Sequence, residues 1–184
     1  MAAAMRSTAG QRRADAVAAG MRIFADHGPT STALQRVADE IGVSQPYVFR
    51  LFGTKRAFFL ACIDEMQQRV REVLRDAVSA VAPGDELTAM RAGFRAMLAD
   101  GVISGLWLQA CAVARWDAAV AARCRDLISG VLEEAARLSE ESPDRVEQAL
   151  ADGVLIMMLQ AIGVDLAGGS RAAIGSLRVK EGEA

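Results

Sequence analysis

Residues 28–55 read Gly28-Pro29-Thr30-Ser31-Thr32-Ala33-Leu34-Gln35-Arg36-Val37-Ala38-Asp39-Glu40-Ile41, then Gly42-Val43-Ser44-Gln45-Pro46-Tyr47-Val48-Phe49-Arg50-Leu51-Phe52-Gly53-Thr54-Lys55. Glycines at 28, 42 and 53 punctuate two short amphipathic runs. In the first run Thr30-Ser31-Thr32 predicts a helix start, and Thr32-x-x-Gln35 has the spacing of a capping box. Leu34, Val37, Ala38 and Ile41 predict its buried face, and Gly42 its end. In the second run Ser44 is the expected N-cap, and Pro46 falls in the first turn, where a missing N–H costs little. Val48, Leu51 and Phe52 predict the inward face. Two helices of under three turns joined by a glycine turn form a helix-turn-helix, whose second helix enters a major groove. A helical hairpin used only for packing is the competing reading.

Outward from this stretch the periodicity stays helical. Val17, Met21, Phe24 and Ala25 predict a first helix over residues 12–27, with residues 1–11 a disordered arm. A long helix is expected from Thr54 to about Val81, broken at Pro83-Gly84-Asp85. Further helices are expected over 87–99, 105–115, 117–138 and from Ser142-Pro143-Asp144 to about Ala167. Gly168-Gly169-Ser170 opens an expected flexible tail. The fold class is all-α. The expected division is a DNA-binding domain at 1–56, a helical ligand-binding and dimerisation domain at 57–167, and the tail at 168–184.

Composition excludes several alternatives. The chain is 52% apolar but only 5% aromatic, dominated by good helix formers. Three spread cysteines, Cys62, Cys111 and Cys124, form no CxxC pair, so neither a disulfide framework nor a zinc site is expected, and a reducing, cytoplasmic setting is. The longest nearly unbroken apolar run, 154–164, falls short of the roughly 20 residues that span a bilayer. One histidine, no HExxH, no GxSxG and no phosphate-cradling glycine loop leave an enzyme without its residues. No metal or cofactor is expected. Residues 1–56 carry eight Lys or Arg against four acids, +4, so with a net charge of −2 the remainder carries −6. A basic head on an acidic body suits a polyanion at one end only.

The stretch Ile23-Phe24-Ala25-Asp26-His27-Gly28, then Thr32, Val37-Ala38, Gly42-Val43-Ser44 and Val48 through Lys55, resembles the tetracycline-repressor (TetR) family of bacterial regulators. The intervals of 14 residues from Gly28 to Gly42 and 13 from Gly42 to Lys55 are similar to that family's. The resemblance implies a homodimeric, usually repressing regulator released from its operator by a small ligand, with Lys55 at a phosphate-contacting position. It covers about 50 residues; the rest is similar only in helical layout. Pro46, Tyr47 and Phe49 depart from the family's usual Gly, Thr and Tyr, so no operator preference carries over.

From the residues themselves, Gln45 and Tyr47 are expected on the outer face of the second short helix, to meet adenine and a thymine methyl or phosphate. Thr32 and Ser44 offer hydroxyls or N–H groups at helix N-termini, with plain capping as the alternative. Lys55 and Arg56 stand in a first helical turn, against the dipole, where a phosphate would reverse the local field. Pro46 and Arg50 complete the expected surface, with Gln35 included if no capping box consumes its amide. Arg6, Arg12 and Arg13 form either a minor-groove arm or an untethered basic tail. His27 reads as a structural residue at a helix C-terminus.

In the body, Val146, Leu150, Val154, Met158 and Ile162 form a stripe on a helix apolar nearly all round. With Leu127, Val131 and Leu138 it predicts a two-fold four-helix bundle between two copies. Two such heads about 34 Å apart would read a palindromic duplex. Ligand-pocket candidates are Met66, Met90, Phe94, Met97, Trp107, Gln109, Cys111 and Trp116, for a small hydrophobic effector. The alternative to a regulator is a helical small-molecule-binding protein without DNA-binding activity.

Overall fold

A computed structural model describes residues 8–164 and 175, and among them every regular element is helical. Eight α-helices are formed: α1 (Ala9–His27), α2 (Ser31–Glu40), α3 (Gln45–Phe52), α4 (Lys55–Ser79), α5 (Glu86–Met97), α6 (Val102–Ala114), α7 (Ala118–Ser139) and α8 (Pro143–Ala161). A 3-10 turn, Leu98–Asp100, follows α5. Arg6 and, apart from residue 175, the expected tail lie outside the described residues.

The chain divides into two compact units. One comprises the residues up to Met66 together with Gly105–Arg125; the other comprises Gln67–Ser104 with the residues from Asp126 onward. A division after residue 56 does not reproduce this. The helix α4 is shared, and α6 from Gly105 on, with the start of α7, belongs to the same unit as the head.

The first unit is built around aromatic rings. Phe24 meets Phe58 and Phe59 edge-on at 5.1 and 5.7 Å, and Phe52 stacks on Phe58 at 4.2 Å. Phe24, Phe58 and Phe59 are fully buried with Met21, Leu34, Val37 and Val48. Such rings carry the largest burial per residue, and truncating one costs about 3–5 kcal/mol.

Local chemistry moves several expected boundaries. The first helix starts at Ala9, because Thr8 Oγ1 accepts from Gln11 N at 3.2 Å; residues 9–11 are therefore helix and not arm. The second is capped by Thr30, whose Oγ1 accepts from Ala33 N at 3.1 Å. The expected capping box at Thr32 is absent, and the Gln35 amide donates to Asp39 Oδ1 at 2.7 Å instead. Between α2 and α3 the backbone closes a Schellman turn: Gly42 N donates to Asp39 O and Val43 N to Ala38 O, at 3.2 and 2.9 Å. Gly42 sits at φ +68°, where a side chain would be strained. The same turn stops α8 at Ala161, short of the expected 167, with Gly163 at φ +77°.

Candidate nucleic-acid interface

The helix α3 is presented by its two neighbours. Val48 and Phe52 are buried and Leu51 half-buried, which turns the opposite side outward. On that side Pro46, Phe49 and Arg50 are exposed, Phe49 by 40%. Gln45 and Tyr47, expected to project freely, are half-buried. Gln45 Nε2 donates to Ser31 O at 3.2 Å, and Arg50 lies over the Tyr47 ring, 5.0 Å from its centroid. Phe49, not among the residues expected to face DNA, thus stands on the exposed side. Its position was legible all the same: it falls three residues after Pro46 and four after Gln45, on one face of a helix.

Around this face Thr32 and Ser44 are exposed in the first turn and at the N-cap of their helices. The Ser44 hydroxyl makes no capping bond; its backbone carbonyl accepts from Tyr47 N at 2.9 Å and Val48 N at 3.3 Å. Gln35 is exposed but its amide is engaged by Asp39.

Lys55 and Arg56 open α4 as expected, but their charges are not equivalent. Arg56 Nη1 stands 3.6 Å from Asp117 Oδ2, while Asp117 Oδ1 accepts from Ala119 N and Val120 N at 3.0 and 3.2 Å to cap α7. Arg56 thus needs no phosphate to answer its charge. Lys55 forms no ion pair among the described residues, and its ammonium faces the local field of the helix N-terminus alone.

Arg12 and Arg13 form neither an arm nor a loose tail. Arg12 Nη1 donates to Ile41 O at 2.9 Å, and Arg13 Nη1 donates to Leu51 O at 3.0 Å while its guanidinium covers the Phe52 ring at 4.2 Å. His27 at the end of α1 contacts an Arg36 guanidinium through Nε2, in keeping with a structural role.

In the second unit, a partly open pocket is bounded by Val70, Leu74, Leu87, Met90, Phe94, Val131, Ala135, Val146, Leu150 and Ile156, with the exposed Arg91 and Arg95 and the half-buried Asp152 among its walls. Of the eight expected ligand residues only Met90 and Phe94 line it. Met97 is half-buried elsewhere on α5. Met66, Trp107, Gln109, Cys111 and Trp116 belong to the other unit. Met66 is core, and a Cβ on Gly28 would stand 2.9 Å from Gln109 Oε1, so that amide packs on the end of α1. Trp116 is 74% exposed at the α6–α7 turn. Burial pushes the Cys111 thiol up, and that of Cys124 to about 11, so both are neutral thiols at physiological pH.

The expected dimer residues also divide. Leu127, Val131 and Val146 are buried within the chain's own body and present nothing to a partner. Leu138 is half-buried. Leu150, Val154 and Met158 lie on a shallow open face with Leu132, Ala151 and Leu155. Met158 is 53% exposed and Ile162, four residues on, 72%.

No single helix among the described residues is long and apolar enough to cross a membrane. Residues 16–62 match the family model of bacterial regulatory proteins, tetR family. No curated protein matches the chain significantly. Among solved structures, the chain is similar to a Rhodococcus sp. protein assigned to the TetR family of transcriptional regulators. The two share 18% identity over 91% of this chain and 97% of that one, with a TM-score of 0.67. It is also similar to a Pseudomonas aeruginosa PAO1 protein assigned as a transcriptional regulator, at 21% identity over 95% and 90%, TM-score 0.65. A TetR-like transcriptional regulator from Rhodococcus sp. RHA1 follows at 22% identity over 82% of each chain, TM-score 0.56. At these identities the likeness is one of fold, and no enzyme family is indicated.

Proposed function

We propose that this chain, whose residues 16–62 match the tetR-family model, is a cytoplasmic transcriptional repressor that binds a palindromic operator as a homodimer and releases it when a small effector occupies the body. The observation that carries the reading is the exposed outer side of α3, Pro46, Phe49 and Arg50, followed by Lys55, which opens α4 and forms no ion pair among the described residues. The helix α3 supplies a surface for base edges, and Lys55 supplies a charge for the phosphate backbone.

In this reading Phe49 offers an apolar surface to a thymine methyl, and Arg50 leaves the Tyr47 ring to track the backbone. Ser44 and Thr32 give phosphate contacts from their helix starts. Gln45 reads a base only by exchanging its bond to Ser31 O for one to the duplex. Two copies joined through the open α8 face carry two heads, one for each half of a palindrome whose consecutive major grooves lie about 34 Å apart.

Selection of bound duplexes from a random library tests the proposal. The expected result is an inverted repeat whose binding weakens steeply with salt. Recovery of no shared sequence would overturn it.

A further inference from the structure

The cavity of the second unit carries one cation that no described residue answers. Two arginines stand on its wall, Arg91 and Arg95, one turn apart on α5. Arg91 is paired with Asp152 Oδ2, and Gln148 Nε2 donates to the other oxygen of that carboxylate at 2.9 Å. Both oxygens of Asp152 are therefore engaged, and its charge is balanced by Arg91. Arg95 makes no ion pair or hydrogen bond among the described residues. Of the remaining walls, those from Leu74, Met90, Phe94 and Val131 are aliphatic or aromatic.

A partly open apolar pocket with one net positive charge, on the exposed Arg95, selects by charge as well as by surface. A neutral apolar molecule leaves the guanidinium with only water to bind. A cationic molecule meets Arg95 directly and finds Asp152 already occupied. An anion gains a charge-assisted, two-pronged hydrogen bond from the guanidinium fork while its apolar part takes the walls. We infer that the cavity takes an amphiphilic monoanion, an apolar body bearing one carboxylate, with the carboxylate on Arg95. This adds a charged head to the small hydrophobic effector expected from the sequence. Calling the ligand an effector rests on the regulator reading; its binding does not.

Arg95 also stands in the last turn of α5, where a cation meets the helix's negative end without any ligand. The experiment separates these roles. Calorimetric titration of the full chain with decanoate, 1-decanol and decyltrimethylammonium holds the tail constant and changes the head. Decanoate is expected to bind at least tenfold more tightly than decanol, with the cation weakest. Arg95→Gln, a surface change that leaves the fold intact, is expected to bring decanoate down to the level of decanol. Ala149→Phe, which fills the cavity from α8, is expected to abolish decanoate binding, with a melting curve reporting that the chain remains folded. Equal affinity for decanoate and decanol, or full decanoate affinity in Arg95→Gln, would overturn the inference. Loss of decanoate binding with operator binding intact leaves the regulator reading standing; decanoate binding by a chain indifferent to every duplex does the reverse.

Discussion

The guanidinium of Arg12 donates to the backbone carbonyl of Ile41 at 2.9 Å, so a cation near the start of α1 closes the end of α2. Arg13 does the same for α3 through Leu51. The last carbonyls of a helix lack intrahelical donors and carry its negative pole, so each arginine satisfies an orphan acceptor and a dipole together.

These two residues stabilise the head and are not reserved for DNA. Replacing either by Gln is expected to cost about 1 kcal/mol, read as a lower midpoint in urea unfolding. The salt dependence of duplex binding is expected to stay unchanged. A fall in the salt slope by about one with no loss of stability would return them to the role of a minor-groove arm.

Lys55 and Arg56 are adjacent yet should behave differently. Lys55→Ala is expected to weaken binding to all duplexes alike and reduce the slope of log affinity against log salt by about one, measured by fluorescence anisotropy between 50 and 200 mM salt. Arg56→Ala is expected to change that slope less, because its charge already faces Asp117. Equal slopes for Lys55→Ala and the parent chain would remove Lys55 from the interface.

Phe49 makes a prediction about bases. If its exposed ring meets a thymine methyl, replacing that thymine by deoxyuridine should cost about 0.8 kcal/mol, the value of one buried methyl, a three- to fourfold loss. The same base change should cost nothing in Phe49→Ala. A deoxyuridine penalty of equal size in both proteins would exclude the contact.

The open face of α8 is the proposed contact between two copies. Met158→Glu combined with Ile162→Glu is expected to shift a dimer to monomer in sedimentation, since both side chains are exposed and their charges would oppose burial against a second copy. Affinity for a two-half-site operator should fall well below that of the parent while a single half-site is bound as before. An unchanged sedimentation coefficient would place the interface elsewhere.

Glu134 links stability to pH. Hydrogen bonds from Arg137, then Arg75, hold its carboxyl down to about 2. A carboxyl whose folded value is depressed contributes stability above its unfolded value, near 4.3, and loses it as pH falls toward about 2. Because such a surface cluster is screened by water, Glu134→Gln is expected to cost no more than about 1 kcal/mol at pH 7. The difference from the parent chain should shrink between pH 5 and pH 2 in urea titrations.

The order of helices and the helix-turn-helix were legible along the chain because both are written locally, in glycines at 28, 42 and 53 and in apolar residues spaced at three and four. The outward position of Phe49 followed from the same period. Placing Lys55 at a helix start required only the Gly53-Thr54 break before it. Where two signals competed over one turn, as with Thr30 and Thr32 for the cap of α2, spacing alone did not choose.

What the tertiary structure decided concerns partners distant in sequence. Arg12 and Ile41 are 29 residues apart, Arg91 and Asp152 61. A cation's meaning, whether helix cap, surface pair or free ligand for an anion, depends on which acceptor folding brings within about 3 Å, and no periodicity records that. The same holds for the apolar stripe of α8. Its residues are all hydrophobic, but Val146 is consumed by its own core while Met158 and Ile162 remain in water, because a helix apolar nearly all round has no pattern left to say which side is inside.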